Sequence, residues 1–533
     1  MNIVLNSREL CDLELLLNGG FKPLQGFLTE KDYLSVLNEM RLSTGELWPI
    51  PIVLKINDSQ KEEIEKHESV VLTDNTNLPI AKLYVEDIYK PDLHHECVSV
   101  FGCDDDNHPY ISEMLRNNDI YYVGGRVEKI RLPVHYDFEN IRLTPVETRE
   151  YFKKNNWGTV VGFQTRNPMH RSHYELTKYA MNCTGDENAK LFLNPVVGVT
   201  QECDVDYYTR VKCYKILVEN HYPKGQVLLN LLPLSMRMAG PREALWHALI
   251  RQNYGCTHFV VGRDHAGPSY KKKDGNSFFG PFDAHELLEK HKDELKIEVV
   301  KSQFIVYVEK LGKYLPMDQV PKGMNILNIS GTQQRKMLKN GEEIPDWFSF
   351  SDVVTELRKK YRPKKGVCVY FVGLSGSGKS TLANALRQKL LEGDISQEIT
   401  ILDGDIVRQN LSKGLKFSRE DRSTNVRRIG YVASEIVKHS GIVICANIAP
   451  YLDDRKYNRE LISKYGKYIE VFVDTPLETC EKRDVKGLYA LARQGVIKQF
   501  TGISDPFETP ENPELKVFDG DISETVNKIL ELM

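Results

Sequence analysis

Apolar positions change their rhythm along this chain. Up to about residue 140 they come in short β-branched and aromatic runs, such as 50–56 and 70–73, broken by turn residues and charges, which predicts a mainly β region. From about Arg142 apolar runs alternate with amphipathic stretches, the mark of a parallel sheet covered by helices. Four runs there predict strands ending in polar or turn-forming residues: 159–163 into Gln164, 190–193 into Asn194, 227–232 toward Met236 and Arg237, and 257–261 into Gly262. Helical spacing follows the first of them, over 174–181. In an open α/β sheet ligands bind outside the carboxyl ends of the strands, so these four ends are expected to converge. A basic stretch with a proline, 357–366, then interrupts the pattern and predicts a solvated linker. Beyond it a second α/β unit opens on a strand over 367–372, followed by a helix over 381–391 and strands over 399–402 and 441–446.

Composition narrows the setting. The 533 residues are enough for three or four domains at about 150 each. A net charge of −3 gives no global basic field to recruit nucleic acid or an acidic membrane, so anion binding has to be local. Ten cysteines stand without a C-x-x-C pair, which predicts free thiols in a reducing compartment. The first residues lack the apolar core of a signal peptide, and no stretch approaches the roughly 20 apolar residues of a membrane span. A soluble cytoplasmic protein is expected. The cluster His94, His95, Cys97, Cys103 and His108 matches no standard zinc spacing and reads as structural.

Local anion sites are present in both α/β regions. Gln164 to His173 forms a strand-to-helix turn, which aims backbone N–H groups and the positive end of a helix dipole at whatever sits above it. His170 and His173 share one face of the first helical turn, beside Arg166, a fork-shaped cation suited to oxyanions. A zinc pair is the competing reading, but no third ligand stands at a standard spacing. In the second region Gly373, Leu374, Ser375, Gly376, Ser377, Gly378, Lys379 and Ser380 fit G-x-x-x-x-G-K-[ST] between a strand and a helix that Thr381 opens. Glycines let the backbone wrap phosphates, Lys379 neutralises them, and Ser380 can ligate Mg²⁺. Asp403 and Asp405 stand at a later strand end, where a carboxylate can orient a hydroxyl or a metal-bound water.

These residues carry a family resemblance. Gln164, Arg166, Asn167, Pro168, His170 and His173 match the Q-x-R-N-P-x-H-x-x-H signature of the sulfate adenylyltransferases, or ATP sulfurylases. Residues 236–243, 262–268 and 329–332 resemble further segments of that family, and Gly19, Gly20, Phe21, Leu24, Gly26 and Phe27 resemble the opening of its PUA-like domain. Asp403, Asp405 and Arg408, then Phe417, Asp421, Arg422, Asn425, Arg427 and Arg428, match the pattern of adenylylsulfate (APS) kinases. Residues 486–489, 500–502 and 506–508 resemble that family's mobile lid and substrate clamp. The whole chain is similar to bifunctional PAPS synthases with the sulfurylase first.

The resemblance implies a PUA-like, mainly β domain over 1–140, a Rossmann-like α/β nucleotidylyltransferase domain over 141–356, the linker 357–366, and a P-loop NTPase-type α/β kinase domain over 367–533. It implies that ATP and sulfate give APS, and that a second ATP converts APS to PAPS, with Mg²⁺ as cofactor and a homo-oligomer as the assembly. Gln164, Arg166 and Ala266 would hold sulfate; Gln164, Thr165, Arg166, Asn167, Gly262, Arg263, Asp264, His265 and Ile305 would bind the first nucleotide. Thr165, Arg166, Asn167, His170 and His173 would act in the first reaction, and Lys379, Asp403 and Asp405 in the second. The second nucleotide would lie on 373–381 with metal at Ser380, and APS against Arg408, Phe417, Arg422, Asn425 and Lys486. Two alternatives stay open: a C-terminal domain that binds PAPS as a regulator, and a first half that adenylylates a phosphorylated small molecule, for which H-x-G-H is expected instead of residues 170–173. The chain departs from many APS kinases at Ala449, where they carry a serine that can be phosphorylated.

Overall fold

The computed structural model describes residues 1–533 apart from 117–119, 202–203, 303, 360–364, 394, 396, 485–486 and 519, and apart from the side chain at 332. Contacts divide the chain into two compact units: Met1–Val134 with Asn140–Leu357, and His135–Glu139 with Arg358–Met533.

The first part of unit one is a seven-stranded sheet built on the long strand Tyr121–Lys129. Gly26–Phe27, Leu54–Ile56, Pro79–Tyr84 and Asp87–Tyr89 all pair with it antiparallel. A Cβ at Gly26 would lie 2.0 Å from the Gly125 carbonyl oxygen, so only glycine lets those two strands meet. The sheet matches the expected β runs, but the region also holds the helices Ser7–Asn18, Glu30–Glu39, Asp58–Ile64, Leu93–Phe101 and Pro109–Leu115. Mainly β is therefore too narrow a description. Asn6, Asn57, Asp92 and His108 cap four of these helices with their side chains, and such short elements leave little apolar periodicity to read. The run 50–56 is strand only at Leu54–Ile56, because Pro51 has no N–H for a ladder. In the cluster at 94–108 the rings go to separate partners: His94 to Asp104 at 3.4 Å, His95 to Asn38 at 3.0 Å, and the buried His108 to the Met238 carbonyl at 3.0 Å.

The second sheet of unit one has five parallel strands in the order Val227–Leu229, Lys190–Leu193, Val160–Phe163, His258–Val261, Glu298–Lys301. Counted along the chain the order is 3-2-1-4-5, so progression reverses between Val160–Phe163 and His258–Val261. A crevice opens at such a reversal, outside the carboxyl ends. Gln164 follows the one strand and Gly262 the other. The third strand stops at Leu229, yet Leu232 still bridges to Val196. A small antiparallel sheet, Ile305–Val308 with Lys313–Pro316 and Ile326–Leu327, packs its first strand on the helix Arg171–Cys183.

Unit two is organised on Val367–Val372, buried at every residue. Its five parallel strands run Ile399–Asp403, Ile442–Ala446, Val367–Val372, Lys467–Val473, Leu515–Val517. His135–Glu139 belongs to this unit although it lies far upstream. The Tyr136 N–H donates to Gln388 Oε1 at 2.8 Å and Glu139 pairs with Lys389 at 3.4 Å, both on the helix Lys379–Glu392. Among the described residues every cysteine is free, and no helix is long and apolar enough to cross a membrane.

Candidate active sites

In the first crevice the four strand ends are tied to one another. The Asn194 N–H donates to the Phe163 carbonyl at 2.9 Å, and the Asn194 amide to the Asn230 carbonyl at 2.7 Å. Gln164 touches Met236, Arg166 touches Gly267, and the Gly240 N–H donates to the Ala266 carbonyl at 3.2 Å. The convergence expected from the pattern is therefore built by hydrogen bonds between turns a hundred residues apart.

The turn after Val160–Phe163 is locked by its own polar groups. Buried Thr165 accepts from the Asn167 N–H at 3.1 Å, and the Tyr214 hydroxyl donates to the Asn167 carbonyl at 2.7 Å, which leaves the Asn167 side chain outward. Gln164 has an open amide: among the described residues its Oε1 has no partner, and its Nε2 meets only the Met236 sulfur at 3.8 Å. Arg166 is not a bare fork. Its Nη1 donates to both oxygens of Asp204 at 3.1 and 2.9 Å, and its Nη2 reaches the Gly267 carbonyl at 3.3 Å and Ser269 Oγ at 3.5 Å. Asp204 also takes the Gln201 N–H at 3.3 Å, and its side chain is only 6% exposed.

His170 is the N-terminal cap of Arg171–Cys183, and its N–H donates to His173 Nδ1 at 3.2 Å, which puts the His173 proton on Nε2. His170 Nδ1 meets Ser349 Oγ at 3.1 Å and its ring lies 4.6 Å from that of Phe348. Burial, and then the neighbouring His173, pushes His170 down to about 3; burial alone pushes His173 down to about 4. Both rings are neutral at pH 7, so toward an anion they could offer only N–H donors, and an anion against them would raise both values.

The turn after His258–Val261 holds Asp264 at φ 51° and Ala266 at φ 58°, with the Gly267 N–H donating to the Asp264 carbonyl at 3.3 Å. Arg263 and Asp264 are exposed beside half-buried Gly262, and His265 Nε2 lies 3.1 Å from His247 Nδ1. Ile305 is buried in the small sheet on the His170–His173 helix. Ser330 caps the helix Gly331–Asn340 by accepting the Gln333 N–H.

In unit two Gly373, Gly376 and Gly378 take φ values of 153°, 72° and 101°, which lets the loop 373–378 curl between strand and helix. Lys379 Nζ donates to the Leu374 carbonyl at 2.6 Å and lies 3.3 Å from Ser377 Oγ. Ser375 and Ser377 are anchored through their carbonyls, which accept from the Tyr489 hydroxyl and from Thr475 Oγ1, each at 2.9 Å. Ser380 Oγ donates to Asp403 Oδ2 at 2.7 Å, while Asp403 Oδ1 accepts the Asp405 N–H at 2.9 Å. Two oxygen donors side by side next to a phosphate loop suit a hard divalent cation. Thr381 continues the helix and is half-buried.

Around this loop the Arg408 guanidinium lies 4.6 Å over the exposed Phe417 ring. Arg422 donates to Thr501 Oγ1 at 2.7 Å and pairs with Asp505 at 2.9 Å. Asn425 is buried, and its Oδ1 has no partner among the described residues. Lys486 lies outside the described residues. Ala449 is buried at φ 41°, and its carbonyl accepts from Arg455 at 2.6 Å.

Family models describe the three parts: a PUA-like domain over residues 1–132, ATP-sulfurylase over 139–360 and adenylylsulphate kinase over 365–518. The sulfate adenylyltransferase of Gibberella zeae is 48% identical over 522 residues, 97% of this chain and 90% of its own. The chain belongs to the sulfate adenylyltransferase family. The Yarrowia lipolytica sulfate adenylyltransferase is 46% identical, with the same shares of 97% and 90%. Among solved structures, a hexameric APS kinase from Thiobacillus denitrificans is 31% identical at a TM-score of 0.57, covering 99% of this chain and 92% of its own. This sulfate adenylyltransferase relative is thus a transferase with an APS kinase domain attached. The crevice residues fall in the ATP-sulfurylase region, and the P-loop with Arg408 to Asn425 in the adenylylsulphate kinase region. Asp204, His247 and Ser349 support these sites without having been picked out from the sequence, His247 lying just beyond a matched segment, Ser349 some way past another and Asp204 far from any; Tyr489 lies within the matched segment 486–489.

Proposed function

We propose that the chain activates sulfate in two steps, first forming APS and pyrophosphate from ATP and sulfate, then PAPS and ADP from APS and a second ATP. The observation that carries this reading is one chain holding both a knitted crevice at the sheet reversal and a P-loop serine bonded to a strand-end aspartate. In the first step a sulfate oxygen attacks the α-phosphorus of ATP and the bond to pyrophosphate breaks. Sulfate arrives deprotonated, so no base is needed and the work is positioning and charge stabilisation. Arg166, the Gln164 amide and the backbone at Ala266 would hold sulfate, which has to compete with Asp204 for the guanidinium. His170 and His173 would donate to the phosphates as charge grows on the leaving group. Thr165 and Asn167 shape the turn, and residues 262–265 with Ile305 border the nucleotide.

In the second step the APS 3′-oxygen takes the γ-phosphoryl group. Lys379 would turn from the Leu374 carbonyl to the phosphates, and the loop 373–381 would wrap them. Ser380 and Asp403 would hold Mg²⁺, which neutralises phosphate charge when bound. Asp403 bonds Ser380 and caps a helix, and one carboxylate of the Asp403–Asp405 pair would receive the hydroxyl proton. Arg408, Phe417, Arg422, Asn425 and Lys486 would bind APS. A reducing cytoplasm and a homo-oligomer complete the proposal, with no nucleic-acid or membrane partner.

Incubation with MgATP, labelled sulfate and pyrophosphatase tests it: the label is expected in PAPS. One observation favours a second reading, in which the C-terminal domain regulates without catalysing: relatives matched over 97% of the chain bear the name of the first activity alone. Label that stops at APS would support that reading, and label in neither product would sink the first step. Ala449 adds a sharper outcome. Alanine has no oxygen to take a phosphoryl group, so transfer goes directly and in line from ATP to APS. After incubation with γ-labelled ATP alone, no acid-stable label is expected on the denatured protein; retained label would contradict direct transfer.

A further inference from the structure

The two turns that meet at the first crevice both contain residues in the left-handed region that are not glycine: Met238 at φ 61°, Asp264 at φ 51° and Ala266 at φ 58°. Such backbone persists only where its surroundings hold it. The first turn is held by Glu243. One of its oxygens accepts the Arg237 N–H at 3.0 Å and the other the Ala239 N–H at 2.8 Å, and the side chain is fully buried. One helical turn further along Gly240–Tyr254 stands His247, equally buried, with Nε2 3.4 Å from Glu243 Oε1 and Nδ1 3.1 Å from His265 Nε2. Both imidazoles are pushed far below their usual range by burial, so one must donate and the other accept. With carboxylate beside His247 Nε2, that nitrogen carries the proton and Nδ1 accepts from His265.

Contacts therefore run from Glu243, whose carboxylate lies near His247 Nε2 without a hydrogen bond between them, to the bond between His247 and half-buried His265, and the residues just beyond His265 are Ala266 and Gly267, whose carbonyl Arg166 touches. We infer that His247, through its bond to His265, is a positioning residue that sets where the Ala266–Gly267 turn and Arg166 meet sulfate. Neither Glu243 nor His247 reaches the surface, so neither can touch substrate. Their leverage is on the sulfate end, because the turn they hold is the one opposite Arg166. The inference rests on the sulfate-activation reading and narrows it.

The test is steady-state kinetics of the full-length protein, with sulfate and MgATP varied separately. His247→Gln places its amide at the Nε2 end and His247→Phe keeps ring volume without an acceptor, so both lose the bond to His265. The KM for sulfate is expected to rise about tenfold or more, the scale of a small misplacement of reacting groups, with a smaller rise in the KM for MgATP, which His265 also borders, and the APS kinase rate within about twofold. His247→Asn, whose amide reaches the Nδ1 position, is expected to recover most of the sulfate affinity. Melting profiles identify the folded variants, and either loss variant alone decides. An unchanged KM for sulfate, or equal rises for sulfate and MgATP, would overturn the inference while leaving sulfate activation intact. No sulfate-dependent pyrophosphate release from the unsubstituted protein would overturn the parent reading and this inference with it.

Discussion

Lys379→Ala is expected to remove phosphorylation of added APS, by on the order of 100- to 1,000-fold, while pyrophosphate release from ATP and sulfate continues. Lys379 is the one P-loop side chain that brings a full positive charge to the transferring phosphates, and it is 8% exposed. Its ammonium rests on the Leu374 carbonyl, 2.6 Å away, and would turn from there to the phosphates. Alanine leaves the glycine conformations of the loop and the Ser380–Asp403 contact in place. The sulfurylase residues lie in the other compact unit. Two assays on one preparation settle the matter: APS-dependent ADP formation and sulfate-dependent pyrophosphate release. Equal loss of both in a folded protein would show that the two sites do not work separately.

Arg166→Ala is expected to slow the first reaction about 100-fold or more, the scale of one preorganised charge-stabilising donor, with APS kinase activity retained. The substitution also strands Asp204, whose side chain is 6% exposed and takes two guanidinium bonds. An unpaired buried carboxylate is destabilising by several kcal/mol, so a single variant mixes catalysis with stability. Arg166→Ala combined with Asp204→Asn separates them: the melting temperature should recover and the rate should not. Arg166→Lys should stay slow as well, because an ammonium is a point charge that cannot serve Asp204 and sulfate as a planar fork does. A near-normal rate in Arg166→Ala would mean that sulfate is held elsewhere.

How much of this was legible in the sequence depends on the distance over which each feature is decided. The strands at 160–163, 190–193, 258–261 and 367–372 were readable because apolar runs broke sharply at polar residues, and those breaks are the strand ends. The P-loop was readable because its geometry is local to eight residues. Arg166 was readable as a cation at a turn, but its partner Asp204 was not, since the pair exists only after the strand order brings those loops together. Glu243 lay inside a matched segment, yet its hold on the Arg237 and Ala239 N–H groups and its link to His247 depend on a buried helix face. The helices before residue 116 were missed because seven to twelve residues give too few turns for periodicity to rise above noise.

The segment His135–Glu139 bears on how the molecule is made. Tyr136 bonds to Gln388, 252 residues later, and Phe138 is 4% exposed in a unit whose sheet begins only at Val367. On a ribosome adding about 5–20 residues per second, those five residues emerge roughly 13 to 50 seconds before the helix that receives them. The second unit is therefore not a bead added at the end of a finished string. It recruits a piece of chain already synthesised, and a fragment cut at Arg358 would begin life without part of its own packing.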